Sequence, residues 1–170
     1  MISKKMVQTL NKQLNNELYS AYLYLSMSSF TTFIGLKGAA NWFMVQYQEE
    51  MTHAMKFYDY LNSQGEHAQL AAIAAPPTEF GTLLSMFEQT LKHEQFITKC
   101  INDLMDQAVK EKDHATQIFL QWFVTEQIEE EGNDNDIIAQ LKLVGDNTQG
   151  LMMVDRDLAT RVFTPPATNA

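Results

Sequence analysis

Residues 82–110, TLLSMFEQTLKHEQFITKCINDLMDQAVK, carry apolar side chains at alternating steps of three and four. That spacing is typical of an α-helix with one buried face. One position on this face is a glutamate, Glu94, between Leu91 and Ile97. The stretch therefore predicts a long helix that places a carboxylate in an apolar core. The complete face is Phe87, Leu91, Glu94, Ile97, Ile101, Leu104 and Ala108.

The same periodicity outside this stretch predicts three further long helices and a short one. We expect the long helices at about 3–33, 39–64 and 115–144, the short helix at about 149–162, and a polar tail at 165–170. The segment 66–79 is too long for a tight turn, whereas the other connections between long helices are short. We therefore predict a single all-α domain over 1–170, a four-helix bundle with a long crossover between helices two and three and a short fifth, C-terminal helix.

Several residues are suited to helix ends. Ser3 is a suitable N-cap for the first helix, and Gly35 and Gly38 are suited to its end. Gly132 lies inside the fourth helix, where glycine costs about 1 kcal/mol relative to alanine. A local bend beside Glu130 is therefore an alternative to an intact fourth helix.

The composition narrows the function classes. Acidic residues outnumber basic ones by 21 to 12, which gives a net charge of −9. Such a charge argues against nucleic acid and anionic membranes as partners and fits a protein that handles cations. No apolar run is long enough to span a bilayer, and residues 1–6 lack the apolar stretch of a signal peptide. The single Cys100 excludes an internal disulfide framework, and we expect a cytoplasmic protein.

The other three long helices also place a carboxylate on the apolar face. Glu17 lies in the apolar register of the first helix. Glu50 and His53 are three residues apart in the second helix and are therefore neighbours on its surface. In the fourth helix the predicted inward residues are Phe119, Phe123, Glu126, Glu130, Asn133, Ile137, Leu141 and Val144.

The predicted depths of these carboxylates match. Glu94 and Glu130 lie eighteen residues on either side of Lys112, or about 27 Å from that end of the bundle at the rise of an α-helix. Glu17 and Glu50 lie near the middle of their helices, so we infer that all four glutamates share one level.

The negative charge of four buried glutamates needs to be balanced by protons or cations. No Lys or Arg shares their core register, and burying an unpaired carboxylate costs several kcal/mol. Two divalent cations would balance four negative charges, and oxygen donors with one imidazole suit iron or manganese. A purely structural bundle, with each glutamate at a partly exposed position, is the alternative.

Four motifs resemble those of bacterial non-haem ferritins, and the resemblance covers nearly all of the chain. The motifs are NNELYS at 15–20, QEEMTH at 48–53, KHEQ at 92–95 and FLQWFVTEQIEEE at 119–131. The resemblance implies a ferritin-like protein that stores and detoxifies iron. It implies a ferroxidase that oxidises Fe(II) to Fe(III) with O2 or H2O2, and self-assembly into a hollow cage of twenty-four subunits.

The resemblance also implies specific site residues. By position, a first iron is held by Glu17, Glu50 and His53. A second iron is held by Glu50, Glu94 and Glu130, with Glu50 bridging the two. Gln127 also matches a position of the family's site and is expected among both its catalytic and its metal-binding residues, and Tyr24 is expected among the catalytic ones. Glu49, Glu126 and Glu129 match a third iron position, which they form with Glu130. Tyr24 would hydrogen-bond a ligand carboxylate or donate an electron, and a core aromatic with a satisfied hydroxyl is the alternative.

Two related activities are alternatives. Gln127 and Glu130 stand where haem-containing relatives carry a glutamate and a second histidine, so no haem is expected. Met51 matches a haem-ligating methionine, which keeps a haem-containing bacterioferritin-like protein as an alternative. A non-storage di-iron oxidase or peroxidase would keep two Glu-x-x-His pairs in the core, and this chain has one such pair on a predicted core face, Glu50 and His53. The remaining histidines are interpreted as surface or capping residues: His67, His93 and His114.

Overall fold

The computed structural model describes residues 2–165, which form five α-helices. These are α1 (Lys4–Phe33), α2 (Lys37–Ser63), α3 (Leu83–Glu111), α4 (His114–Val144) and α5 (Thr148–Leu158). α1 packs mainly on α2, α3 packs mainly on α4, and α5 lies against α2 and α4. The architecture is the predicted four-helix bundle with a short fifth helix.

The connection between α2 and α3 runs along α1. Near its start, the backbone N–H of Gln69 donates to Asn11 Oδ1 at 2.5 Å. Near its end, the carbonyl oxygen of Pro77 accepts from Ser26 Oγ at 2.7 Å. Asn11 and Ser26 are separated by about 22 Å along α1 at the rise of an α-helix. The crossover therefore returns the chain along the bundle, and α2 and α3 run parallel.

The ends of α1 and α2 show one confirmed and one wrong prediction. Ser3 caps α1, because its side chain accepts from the backbone N–H of Met6 at 3.0 Å. Gly38 does not end α1 but lies in the first turn of α2. A Cβ on Gly38 would lie 1.5 Å from the carbonyl oxygen of Asp155, so glycine is required for α5 to pack on α2 at this distance.

α5 ends at Leu158, four residues before its predicted end. Asn41 of α2 donates from Nδ2 to the carbonyl oxygens of Leu158, Ala159 and Arg161, the last at 2.9 Å. These contacts hold the segment after α5 against α2, and the predicted further turn of α5 does not form. The predicted polar tail begins at Pro165, and residues 166–170 lie outside the described residues.

Two apolar clusters fill the bundle on either side of a polar layer. One cluster includes Met27, Phe43 and Phe87, and the other includes Leu10 and Phe57. The layer between them consists of buried polar side chains: Gln13, Glu17, Gln46, Glu50, His53, Glu94, Gln127 and Glu130. α4 passes through this layer as a continuous α-helix, so Gly132 does not interrupt it.

Among the described helices, none combines the length and apolar character that a membrane crossing requires.

Candidate metal centre

Glu17, Glu50 and His53 form a buried triad in the polar layer. Each exposes 2% of its surface or less. One ligand atom from each lies within 4.8 Å of the other two, and His53 Nδ1 is 3.3 Å from Glu50 Oε2. Two carboxylates and one imidazole at these distances are a donor set that a divalent cation can share.

Glu94 of α3 and Glu130 of α4 lie in the same layer and are also buried. Gln127 Nε2 donates to Glu94 Oε2 at 3.1 Å, and the Tyr24 hydroxyl donates to Glu94 Oε1. Glu130 contributes an oxygen to a second group of ligand atoms that includes His53. We call Glu17, Glu50, His53, Glu94 and Glu130 the paired centre. The common level inferred from helix depth is therefore correct.

Two buried glutamines complete this layer, and sequence reasoning missed both. Gln13 Nε2 donates to Glu17 Oε1 at 2.7 Å. Gln46 Nε2 donates to Glu130 Oε2 at 2.8 Å and to Glu50 Oε1 at 3.3 Å. Each glutamine precedes a glutamate by four residues on the same helix, and that spacing is the signal that could have identified them. Neutral amides orient the carboxylates without cancelling their charge.

The carboxylates of the layer disfavour one another's ionisation. Burial is the largest cause that raises the pKa of Glu17, Glu50 and Glu130 well above the ordinary value of a glutamate. The next largest cause is a neighbouring negative charge, which is Glu50 for Glu17 and Glu94 for the other two. Such a layer holds protons or cations, and strongly shifted groups of this kind are typical of functional sites.

The three acids predicted for a third metal lie beside the paired centre, and we call Glu49, Glu126 and Glu129 the outer group. Glu126 Oε1 is 3.8 Å from His53 Nε2, and one ligand atom each of His53, Glu126 and Glu130 lies within 4.8 Å of the others. Burial, the largest cause, raises the pKa of Glu49 and of Glu126. Glu129 is exposed. The outer group is thus more open than the paired centre.

A basic side chain reaches the outer group, although no Lys or Arg shares the core register of the carboxylates. Arg161 Nη2 lies 2.5 Å from Glu49 Oε2, and Nη1 donates to Gln46 Oε1 at 2.7 Å. Arg161 comes from the segment after α5, which the periodicity placed inside a helix. The core register of the four buried glutamates therefore gives no sign of this cation beside the outer group.

Sequence comparisons find a matching family model and close relatives of this chain. The chain matches a family described as the ferritin-like domain over residues 7–144. It is 42% identical over 163 residues to a bacterial non-heme ferritin of Staphylococcus saprophyticus, covering 96% of this chain and 98% of that protein. The chain belongs to the ferritin family. It is also 44% identical over 156 residues to a bacterial non-heme ferritin of Campylobacter jejuni, covering 92% of this chain and 93% of that ferritin.

Solved ferritins share the fold closely. An Archaeoglobus fulgidus ferritin engineered into a closed form superposes with a TM-score of 0.95 at 48% identity, covering 96% of this chain and 100% of that one. A humanized archaeal ferritin gives a TM-score of 0.96 at 48% identity, covering 97% and 100% of the two chains. The two bacterial relatives are non-heme ferritins by name, which is the type that this ferritin resembles in having one Glu-x-x-His pair, Glu50 and His53, in the buried layer.

The predicted inward face of α4 is wrong at two positions. Asn133 is exposed, and Glu126 is partly exposed. The inward positions are occupied by Gln127 and Asp134, which are 4% and 1% exposed. Both carboxylate oxygens of Asp134 lack a hydrogen-bond partner among residues 2–165. Burial, followed by the negative charge of Glu94, raises the pKa of Asp134 from 3.8 to about 8.

His93 is not the surface residue that sequence analysis predicted. It is partly buried, and its Nε2 lies 2.7 Å from Ser20 Oγ. Its ring packs edge-on against Tyr24, with 6.1 Å between ring centroids. Burial lowers the pKa of His93. His93 therefore belongs to the packing around Tyr24, whereas His67 and His114 are exposed as predicted.

Proposed function

We propose that this ferritin-family protein is a ferroxidase that oxidises Fe(II) to Fe(III) at the paired centre and stores the ferric product. The observation that carries the proposal is a buried layer of four carboxylates and one imidazole whose hydrogen-bond donors are neutral amides and a hydroxyl. Iron storage is the function of the family to which the chain belongs. Iron is here the substrate, with O2 or H2O2 as the oxidant.

The proposed binding arrangement uses two iron ions. Glu17, Glu50 and His53 would hold the first, and Glu50, Glu94 and Glu130 would hold the second, with Glu50 shared. Two Fe(II) ions carry four positive charges, which balance the four carboxylates. Carboxylate oxygens are hard ligands and favour Fe(III) over Fe(II), so the donor set drives the oxidation.

Gln127 and Tyr24 support the second position in this proposal. Both donate to Glu94, one to each carboxylate oxygen, so they would fix the orientation of that ligand. Burial is the largest cause that raises the pKa of Tyr24 well above the ordinary value of a tyrosine, so its hydroxyl keeps the proton that it donates. We propose orientation of Glu94 as the main role of both residues.

A third iron is proposed at the outer group. Glu126 lies beside His53 and Glu130, which connects this position to the paired centre. The greater exposure of the outer group and the ion pair between Glu49 and Arg161 suit a transient position through which iron passes. The open side of Glu129 would face incoming or departing ions.

The remaining features of the proposal concern the whole protein. We propose that residues 1–170 form one ferritin-like domain, that identical subunits assemble into a cage of twenty-four, and that the protein is cytoplasmic. The close similarity to solved ferritins over nearly the full length of both chains supports self-assembly.

The proposal is tested by adding Fe(II) to the protein without oxygen, admitting air and recording the ferric absorbance. Glu130→Ala should slow the initial oxidation by about a hundredfold, because losing a ligand should cost at least as much as losing a residue that orients one, which costs about 10- to 100-fold. Asp136→Ala is the matched control, because it removes an exposed carboxylate from the same helix. Equal rates for parent and Glu130→Ala would contradict the assignment, and a native mass of a monomer near 19 kDa would contradict the cage.

A further inference from the structure

We propose that Arg161 is the resident cation of the outer group and that it makes a third metal ion bind more weakly than the first two. The inference rests on the proposed ferroxidase function, because a third ion has a role only beside a working paired centre. It concerns a residue outside the four long helices and outside every motif that resembles the family.

The contacts of Arg161 are specific and directional. One guanidinium nitrogen bonds Glu49 at 2.5 Å, and the other donates to Gln46 at 2.7 Å. The side chains of Arg161 and Glu49 are 19% and 22% exposed, so the ion pair is largely shielded from water. The guanidinium carbon also lies 4.4 Å from the ring centroid of Trp42. The guanidinium group is therefore bound by Glu49 and Gln46 at its edges and by Trp42 at its face, and these contacts fix its position.

Contacts between α2 and the segment that contains α5 position the backbone of Arg161 beside the outer group. Asn41 holds the Arg161 carbonyl oxygen at 2.9 Å, and Asp155 Oδ1 accepts from the backbone N–H of Ala39 at 2.8 Å. Both contacts tie α5 and the segment after it to the first turns of α2, eight and ten residues before Glu49. Arg161 can therefore leave Glu49 by side-chain rotation and return without any rearrangement of the helices.

Charge explains why Arg161 and a metal ion compete. An arginine is always protonated and only donates hydrogen bonds, so its partner Glu49 is already neutralised. A divalent cation that binds Glu49 must displace the guanidinium or share the carboxylate with it. The carboxylates of the paired centre accept from glutamines and from Tyr24, which carry no positive charge to displace. The two positions should therefore fill in order, with the outer group last.

The same guanidinium orients a side chain of the paired centre. Because Arg161 donates to Gln46 Oε1, the amide nitrogen of Gln46 is directed at Glu130 and Glu50. When no metal ion occupies the outer group, Arg161 thus helps to keep Gln46 in the orientation in which it donates to the carboxylates.

The test counts Zn²⁺ ions bound to the assembled protein by equilibrium dialysis at constant ionic strength. The parent should bind two ions tightly per subunit and a third more weakly. In Arg161→Gln the dissociation constant of the third ion should fall about tenfold, equivalent to about 1.4 kcal/mol. Arg161→Lys keeps the charge and should restore most of the parent's weaker binding. Arg156→Gln, which removes an exposed arginine from α5, should stay within about twofold of the parent.

A second readout detects the displacement itself. In a Trp122→Phe background, Trp42 is the remaining tryptophan, and Zn²⁺ does not quench its fluorescence by electron transfer. Filling the third position should change the Trp42 emission in this background, and the change should be absent when Arg161→Gln is added. A purely structural arginine would give no emission change at the third ion. An unchanged Trp42 emission in this background would therefore overturn the proposal even if Arg161→Gln fails to assemble.

The outcomes separate the two proposals. A third-ion affinity of Arg161→Gln that equals that of Arg156→Gln overturns the role of Arg161, while two tight ions and rapid Fe(II) oxidation in the parent still support the ferroxidase. A parent that binds fewer than two ions per subunit overturns the proposed function, and the inference falls with it.

Discussion

The paired centre and the outer group are built from the same residue types but are held in different ways. The paired centre is buried, and its carboxylates accept from neutral side chains such as Gln13 and Gln127. The outer group is partly exposed, and Glu49 is bound by the charged side chain of Arg161. The negative charge of the first is left for a substrate cation, whereas part of the second is already balanced by the protein.

This difference shows how neighbouring carboxylates can have separate functions. Burial and the charge of Glu94 raise the pKa of Glu50 and Glu130, and a divalent ion that replaces the protons relieves the repulsion between these carboxylates. At the outer group, greater exposure and an internal ion pair leave less repulsion to relieve. Tight binding followed by weaker binding is the order that an oxidising site and a transit position require.

The largest expected effect comes from removing the shared ligand. Glu50→Ala should slow the initial Fe(II) oxidation by more than the roughly hundredfold expected for Glu130→Ala, because both proposed iron positions lose a ligand. Glu126→Ala should slow it by at most about threefold, since this carboxylate is partly exposed. Stopped-flow absorbance after mixing with oxygenated buffer measures both rates. Similar losses in the two variants would remove the functional distinction between the paired centre and the outer group.

Asp134 provides the next effect, because this buried carboxylate lacks a hydrogen-bond donor among residues 2–165. Asp134→Leu should raise the free energy of unfolding of iron-free protein by about 2 kcal/mol at pH 7. The folded protein keeps the Asp134 proton up to a pKa of about 8, whereas the unfolded chain loses it near 3.8. Folding therefore binds a proton in this window, and the stability of the parent falls as the pH rises through it.

Denaturant titrations of iron-free parent and variant at pH 5 and pH 8 measure this effect. The advantage of Asp134→Leu should be larger at pH 8 than at pH 5. Asp136→Leu at an exposed position of α4 is the control and should show no such trend. A parent that is more stable than Asp134→Leu at pH 8 would show that the carboxylate is satisfied in solution.

A smaller effect is expected from the amide that bridges two ligands. Gln46→Leu removes the donor to Glu50 and Glu130 and should weaken binding of the first two Zn²⁺ ions about tenfold. Gln48→Leu on the exposed side of α2 is the matched control. Equilibrium dialysis measures both, and unchanged binding in Gln46→Leu would mean that neutral donors do not organise the paired centre.

The smallest effect is expected at Tyr24. Tyr24→Phe removes the hydroxyl that donates to Glu94, while Gln127 continues to hold the other oxygen. The initial oxidation rate should fall about threefold, the typical worth of one hydrogen bond of about 0.7 kcal/mol. A loss approaching that of Glu50→Ala would instead support electron donation by the tyrosine.

The paired centre could be predicted from the sequence because apolar residues precede and follow each ligand on the same helical face. Glu94 lies between Leu91 and Ile97, so its inward direction follows from helical periodicity. The segment after Glu130 contains no such apolar residues, because residues 132–136 are all glycine, asparagine or aspartate. Helical periodicity allows the next buried residue to lie either three or four positions after Glu130, at Asn133 or at Asp134. The sequence did not distinguish the two, which is why Asn133 was predicted to be buried in place of Asp134.

Arg161 could not be predicted for a different reason. Its position depends on the end of α5 at Leu158 and on the contacts that Asn41 makes with the following carbonyl groups. Those are contacts between residues more than a hundred positions apart, and helical periodicity contains no information about them. Gln13 and Gln46, in contrast, precede Glu17 and Glu50 by one helical turn. Their hydrogen bonds to these glutamates could have been predicted from the spacing.

The most direct test of the central claim is a crystal structure of the protein soaked with iron, with anomalous scattering recorded at the iron edge. We predict two strong peaks per subunit, one bounded by Glu17, Glu50 and His53 and one by Glu50, Glu94 and Glu130, in a cage of twenty-four subunits. A weaker third peak should lie at the outer group. Iron peaks confined to other surfaces, with the buried layer unoccupied, would contradict the account.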